Sequence, residues 1–337
     1  MLSNRSIPFL LLLCLMFGLL AGCNRSEQES PYRIGVLLSG DIRLEPFAGL
    51  KDGLEALGYV EGEHVVFEVM NAEGDRQKLS ELAEAIVISQ PDLAIAGGGI
   101  EADALKAATE GSDLPVVFLS VSSAIDRGLV ESLRSSGNNL AGIETNDTQL
   151  TAKRLELITQ IMPGAKKVHI LLVPSITPGV KSAQVAEQIA PGLGLELIII
   201  SVETEQDIQE AAANISRDEV DAMLILPLAP VWQAMKDVLY PVSVEQGIPI
   251  FGVNRDDLER GAIVSYAGSR YANGFQAARL VDKILLGVKP ADIPIETPQR
   301  LEFIINRSVA NRIGVAIPDE MLGLADEVVE IEVSSTR

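Results

Sequence analysis

Two stretches far apart in the chain begin alike. "YRIGVLLS", from Tyr32, is a continuous apolar run closing on a small polar residue, and "KKVHILLVPS", from Lys166, repeats it. The elements after each opening also match in order and length. "HVVFEVMNAEGDRQKLSELAEAIVISQPDLAIAGG" parallels "LELIIISVETEQDIQEAAANISRDEVDAMLILP", and "LPVVFLSV" parallels "IPIFGVN". Continuous apolar runs read as strands buried on both faces of a parallel sheet. They alternate with helical spacing, as in "EPFAGLKDGLEALG", where Phe47, Leu50, Leu54 and Leu57 share a face before Gly58 stops the helix. Such alternation is the signature of a doubly wound sheet. An offset of about 130 residues is domain-sized, far longer than a solenoid repeat. The expectation is an α/β chain of two Rossmann-like, doubly wound parallel-sheet lobes in tandem.

The tail exceeds what the second repeat needs. "YANGFQAARLVDKILLG" is an amphipathic helix, and "LEFIINRSVANRIGVAIPDEML" adds a strand and a short helix. A chain that returns to the first lobe uses these pieces and makes a multi-strand hinge. The expected limits are 32–146 with about 268–296 for lobe 1, and 147–267 with about 297–331 for lobe 2.

The start of the chain bears on compartment. An oily run from Ile7 to Leu20 follows the single charge of Arg5 and ends in Leu20-Ala21-Gly22-Cys23. That is the layout of a secretory signal, too short for a comfortable membrane span. The ending resembles the bacterial lipobox, in which the cysteine becomes the lipidated first residue. The expectation is a signal peptide over 1–22, an acyl (palmitate-type) anchor on Cys23 and a polar tether over 23–31. Stable attachment takes more than one acyl chain. The protein is then extracytoplasmic, lipid-anchored to a bacterial membrane on its periplasmic side or at the cell surface. Cys14 leaves with the signal, so no thiol remains for disulfides, metal or catalysis.

The net charge is −20, and removing residues 1–22 takes away only Arg5. Such acidity argues against nucleic acid or an anionic bilayer surface as partner. Gly97-Gly98-Gly99 is followed by neither Gly-x-Gly-x-x-Gly nor Gly-Lys-Ser/Thr, so no nucleotide cofactor is expected. His64 and His169 read as packed or edge histidines. No Gly-x-Ser-x-Gly elbow, His-Glu-x-x-His pair or Cys/His cluster occurs, so neither an enzyme nor a metal site is expected.

In open α/β sheets, ligands sit beyond the carboxyl ends of the strands, where helix N-termini offer free N–H groups. The residues placed there are Ser39, Gly40, Gly97, Gly98, Gly99, Ser120, Ser122, Ser123, Glu144 and Thr145 in the first half. In the second they are Ser175, Thr177, Leu228, Ala229, Asn254, Asp256 and, at the end of the last strand, Ser269. Small and hydroxylated residues also serve simply as N-caps in such turns. Their joint placement around one cleft favours recognition of a small polar molecule. Helix N-termini at Gly98, Ser122 and Ser175 are the expected seats for an anionic group.

With these residues in view, the chain resembles the ABC transporter substrate-binding lipoproteins whose members include tryptophan- and phenylalanine-binding proteins. The likeness rests on "GLKDGLEALGYVEGEHVVFEVMNAEGDRQKLSELA", "PVVFLSVSSAIDRGLVESL", "AKRLELITQIMPGAKKV", "GAIVSYAGSRYANGFQAARLVDKILLGVKPADIPIE" and "LEFIINRSVANRIGVAIPDEML". It runs in order from Tyr32 to Glu330. It implies the type I periplasmic-binding fold and capture of a small organic solute, amino acid-like or related. It also implies delivery to the permease and ATPase of an ABC importer, by a monomer needing no cofactor.

Three pocket loops depart from the family pattern. Pro227-Leu228-Ala229 stands where Pro-Thr-Asp is common, Ser269 where many members carry Asp, and Asn254 where Asp or Glu is usual. An amino acid's ammonium wants a carboxylate partner. Asp147, Glu144 or Asp256 could take that role, and Trp232 could form a stacking wall or join the lobe core. Two other readings use the same cleft: a sensory lipoprotein serving a receptor kinase, and an envelope enzyme.

Overall fold

In the computed structural model, which describes residues 30–333, each matching stretch builds its own sheet. The first consists of β1 (Tyr32–Leu38), β2 (Val65–Asn71), β3 (Leu93–Ala96), β4 (Val116–Val121) and β5 (Leu140–Glu144), in the order β2-β1-β3-β4-β5. All its pairs are parallel. The second begins with β6 (Lys167–Leu172), β7 (Glu196–Ser201), β8 (Ala222–Leu224) and β9 (Ile250–Gly252). It continues with β10 (Ala262–Gly268), β11 (Leu301–Asn306) and β12 (Glu327–Val329), in the order β12-β11-β10-β9-β8-β6-β7. Only β11 runs antiparallel to its neighbour β10. In both sheets the opening strand of the repeat lies between the second and the third, the winding expected of duplicated Rossmann-like lobes.

Helices connect the strands. They are α1 (Leu44–Ala56), α2 (Lys78–Ser89), α3 (Gly99–Ala108), α4 (Asp147–Ile161), α5 (Thr177–Ile189) and α6 (Glu205–Ala213). After them come α7 (Ala229–Ala234), α8 (Tyr240–Gln246), α9 (Arg255–Leu258), α10 (Arg270–Leu285), α11 (Arg307–Ile313) and α12 (Asp319–Leu324). The tail thus carries two short helices after β11 rather than one. Gly314, at φ 84°, and Pro318 interrupt it, since an L-residue is strained at that φ and proline cannot continue a helix. Among the described residues no helix is long and apolar enough to cross a membrane. The signal, Cys23 and most of the tether lie outside the described residues.

Burial on both sheet faces explains the unbroken apolar runs. In β1, Ile34, Val36 and Leu38 enter one core with Leu50 and Leu54, while Leu37 enters the opposite core with Leu79 and Ile86. The helix α10 leaves the second sheet and buries Ala277, Leu280, Val281 and Ile284 in the first lobe. It crosses α1 at Gly49, Gly53 and Gly274, where any Cβ would overlap the partner helix. Close backbone approach is therefore the reason these helices hold glycine despite its cost of about 1 kcal/mol inside a helix.

The chain passes between lobes after β5, between β10 and α10, and between α10 and β11. The first and third passages run side by side: Glu144 N–H donates to Glu296 O (2.8 Å) and Glu296 N–H to Gly142 O (3.0 Å). Asn146, in the left-handed region at φ 60°, makes the bend into α4. Just beyond it the buried Arg154 donates through Nε to Tyr266 O (2.9 Å), Nη1 to Asp147 O (2.9 Å) and Nη2 to Asp147 Oδ1 (2.8 Å). These bonds rivet the start of α4 to β10, so rigid elements flank the bends.

Candidate functional site

The carboxyl ends of β1, β3, β4 and β5 bring most first-half candidates onto one rim. Ser39 donates its backbone N–H to Glu101 Oε1 (2.9 Å), and the same oxygen accepts from Arg43 Nε (2.9 Å). Glu101 is wholly buried, and its Oε2 has no partner among the described residues. Gly40 opens the turn that carries Arg43. Gly97, Gly98 and Gly99 sit beneath arginines: a Cβ at Gly98 would overlap the Arg43 guanidinium, and one at Gly99 would lie 2.7 Å from Arg127 Nη2. Both glycines are therefore read as seats for guanidinium groups. Arg127 is held in turn by Asp103, at 3.4 Å.

Beside them, Ser120 Oγ accepts from Asn273 Nδ2 (3.2 Å), bringing α10 to this rim. Ser122 Oγ and Asn273 Oδ1 are buried without partners. Ser123, at φ 59°, shares a hydrogen bond with Thr148 of the second lobe (Oγ to Oγ1, 3.2 Å). The expected helix N-terminus at Ser122 is corrected here: a run of turns follows β4. Gly98 is the residue before α3, as expected.

Glu144 turns its carboxylate to backbone. Its carboxylate accepts backbone N–H from Ser123 (2.8 Å) and Ala124 (2.5 Å), bracing the turn that puts Ser123 in the left-handed region. Burial raises its pKa, against the lowering by those N–H groups. Asp147 is committed to Arg154, and its Oδ2 accepts from Thr145 Oγ1 (2.7 Å). That bond also spends the Thr145 hydroxyl.

The second-lobe candidates are more scattered. Ser175 and Thr177 are exposed, and α5 is preceded by Ile176 rather than Ser175. Leu228 is buried in the second core, with its side chain against Gly179. Ala229 is the first residue of α7. Asn254 donates its N–H to Asp257 Oδ2 (3.0 Å) ahead of α9. Asp256 is paired with Arg270 Nη1 (2.5 Å), which also lies 3.9 Å from Glu45 of the first lobe. Ser269 caps α10, accepting from Ala272 N–H. Trp232 packs on the second core with the Arg260 guanidinium 3.6 Å from its ring centre, so its face is already covered.

Two recesses mark the seam between lobes. One, of about 230 Å³, is lined by Ser123, Asp126 and Glu144 from the first lobe and Thr148, Lys181 and Gln184 from the second; Lys181 Nζ lies 3.4 Å from Asp126 Oδ1. A much narrower one, of about 20 Å³, is lined by Glu45, Asn254, Ser269, Arg270 and Glu302. A larger recess of about 1090 Å³ belongs to the first lobe alone. It lies along Lys106 to Asp113, which lead to the amino end of β4, and reaches Asp103 and Arg127. Among the described residues no group of three or more His, Cys, Asp or Glu side chains could hold a metal ion.

Sequence reading passed over Arg43, Glu101, Arg127, Asn273 and Arg270. One signal was available: a tight turn needs one glycine, and three in a row imply something bulky lying across the backbone.

A family model described as ABC transporter substrate binding protein matches residues 33–329. A curated tyrosine-binding protein of Clostridioides difficile (strain R20291) is 26% identical over 258 residues, 77% of this chain and 73% of that protein. Among solved structures, a conserved domain protein from Vibrio cholerae superposes with a TM-score of 0.79 at 26% identity, covering 89% of this chain and 100% of that one. The ABC domain in complex with L-Trp from Streptococcus pneumonia gives the same TM-score and coverage at 24% identity, a likeness of fold. Two lobes wound alike, three passages between them and a match along nearly the whole described chain lead to one conclusion: this protein belongs to the ABC transporter substrate-binding protein family.

Proposed function

We propose that the protein is an extracytoplasmic receptor, anchored through lipidated Cys23, that captures an amino acid-like solute between its lobes. It hands the solute to the permease and ATPase of an ABC importer. The tyrosine-binding relative supports the ligand class. The observation that carries the reading is the first-lobe rim, where Glu101 Oε2, Ser122 Oγ, Arg127 Nε and Asn273 Oδ1 are buried without partners. A buried polar atom left unpaired costs about 1–3 kcal/mol. A ligand that pairs such atoms gains affinity, and one that also touches the second lobe favours closing. Taking a two-state equilibrium from 1:99 to 99:1 needs about 5.5 kcal/mol of differential affinity, which must come from the contacts that the second lobe adds on closing. The hinge of this motion lies at the passages near 146, 268 and 297. Catalysis forms no part of the reading: His169 is buried within β6 and His64 is exposed ahead of β2, so neither histidine serves the serines of the rim.

A thermal-shift screen of the common amino acids, beginning with L-tyrosine, tests the ligand class. Binding raises stability by about 2.7 kcal/mol at a hundredfold excess over Kd. Ser122→Ala should weaken the hit, and a screen in which no amino acid raises Tm rejects the class. For the anchor, Cys23→Ser should release the protein from membranes, and continued retention would refute lipidation.

A further inference from the structure

The amino-acid reading requires a partner for an ammonium group, and the structure narrows the choice. Of the acids at the rim, Glu144 is occupied by backbone N–H groups, Asp147 by Arg154 and Thr145, Asp256 by Arg270 and Asp103 by Arg127. Glu101 differs. Both of its hydrogen bonds fall on Oε1, from Ser39 N–H and Arg43 Nε, and Oε2 is buried with no partner. Arg43 complements it. Only its Nε is engaged, and its Nη atoms lie across Gly98, a position a Cβ would block.

A carboxylate and a guanidinium held 2.9 Å apart, each with hydrogen-bonding capacity to spare, carry the two charges of an α-amino acid in reverse; they lie at the first-lobe strand ends and are not among the residues lining either seam recess. Resting on the amino-acid reading of this same cleft, we infer that Glu101 accepts the ligand's ammonium through Oε2 while Arg43 receives its carboxylate. Glu101 is thereby the residue that distinguishes amino acids from other organic acids. The physical ground is asymmetric: a ligand lacking the amine leaves a buried carboxylate oxygen unpaired, and sites built around such a bond reject the deficient analogue strongly. The unused Nη donors of Arg43 suit a planar carboxylate, which accepts two parallel N–H bonds.

The test is calorimetric titration of the full-length protein in detergent with L-tyrosine and with its des-amino analogue, 3-(4-hydroxyphenyl)propionate. Wild type should prefer L-tyrosine by about 100-fold or more. Glu101→Gln keeps the side chain's size and an acceptor for Ser39 N–H. It should weaken L-tyrosine by about 100-fold while leaving the analogue within about 3-fold, so that the preference disappears. Equal affinity of wild type for both compounds overturns the inference without any variant, as does a Glu101→Gln protein that keeps the preference. If Glu101→Gln does not fold, Glu101→Asp decides: a selective loss for the amine supports the assignment, and an equal loss for both compounds refutes it. If wild type binds no common amino acid, the underlying reading falls as well; if it binds one other than L-tyrosine, that amino acid and its des-amino analogue replace the pair in the same test. Binding both compounds alike removes only the role of Glu101.

Discussion

The two rims facing the cleft come from similar sheets but carry different chemistry. On the first lobe, Arg43, Glu101, Arg127 and Asn273 crowd the strand ends, and several of their polar atoms are buried without partners. On the second, Leu228 lies in the core, Ser175 and Thr177 are exposed, and Asp256 is paired with Arg270. Buried charge exists in the second lobe too: Asp147 and Arg154 are satisfied by each other and by backbone, while Asp257 spends Oδ2 on the N–H groups of its own turn and keeps Oδ1 buried without a partner. Duplicated topology therefore does not mean duplicated function. On our reading the first lobe grips the polar end of a ligand, and the second supplies shape and closing.

The largest expected effect probes that division directly. Asp147→Ala strands the buried Arg154 guanidinium, and breaking a buried pair in this way costs about 3–5 kcal/mol. Chemical denaturation should show that loss, while the selectivity between L-tyrosine and its des-amino analogue stays intact. Altered selectivity at this position would blur the separation of structural from recognition charge.

A somewhat smaller effect comes from His169, on β6 beside the edge strand β7 of the second sheet. Burial depresses its pKa from 6.5 to about 4. The unfolded chain then takes up the proton more readily, so the stabilisation is present above pH 6.5 and is lost as pH falls toward 4. The shift corresponds to about 3 kcal/mol. Denaturation midpoints measured across this range should decline for wild type and decline less for His169→Leu. Parallel curves would remove the histidine from the account.

The smallest effect belongs to the seam. Lys181 and Asp126 join the lobes but are 42% and 41% exposed. Such pairs contribute less than about 1 kcal/mol and are screened by salt. Lys181→Gln should shift the open–closed balance only slightly, toward open, as read by small-angle scattering at low ionic strength. A large opening would mean that this pair, rather than the ligand, holds the lobes together.

Much of the architecture was legible in the residues. Apolar runs such as Ile34–Leu38 must be buried on both faces, helices must return the chain to the next parallel strand, and the repeat says this happens twice. The position of a rim at the strand ends came from the same logic. The occupants of that rim did not. Glu101 reads locally as an ordinary acid of a helix's first turn, and only the approach of Arg43 and Ser39, about 60 residues earlier in the chain, makes it a buried carboxylate with one idle oxygen. Glu144 and Asp147 read as available acids until the fold delivers backbone N–H groups and Arg154 to them.

Periodicity and turn chemistry are local, so sequence by itself determined the class of fold, its duplication and where a cleft must open. Which polar atoms remain unpaired depends on groups brought together from parts of the chain up to about 150 residues apart. That was decided by tertiary packing alone, because a hydrogen bond is exhausted by whichever partner arrives.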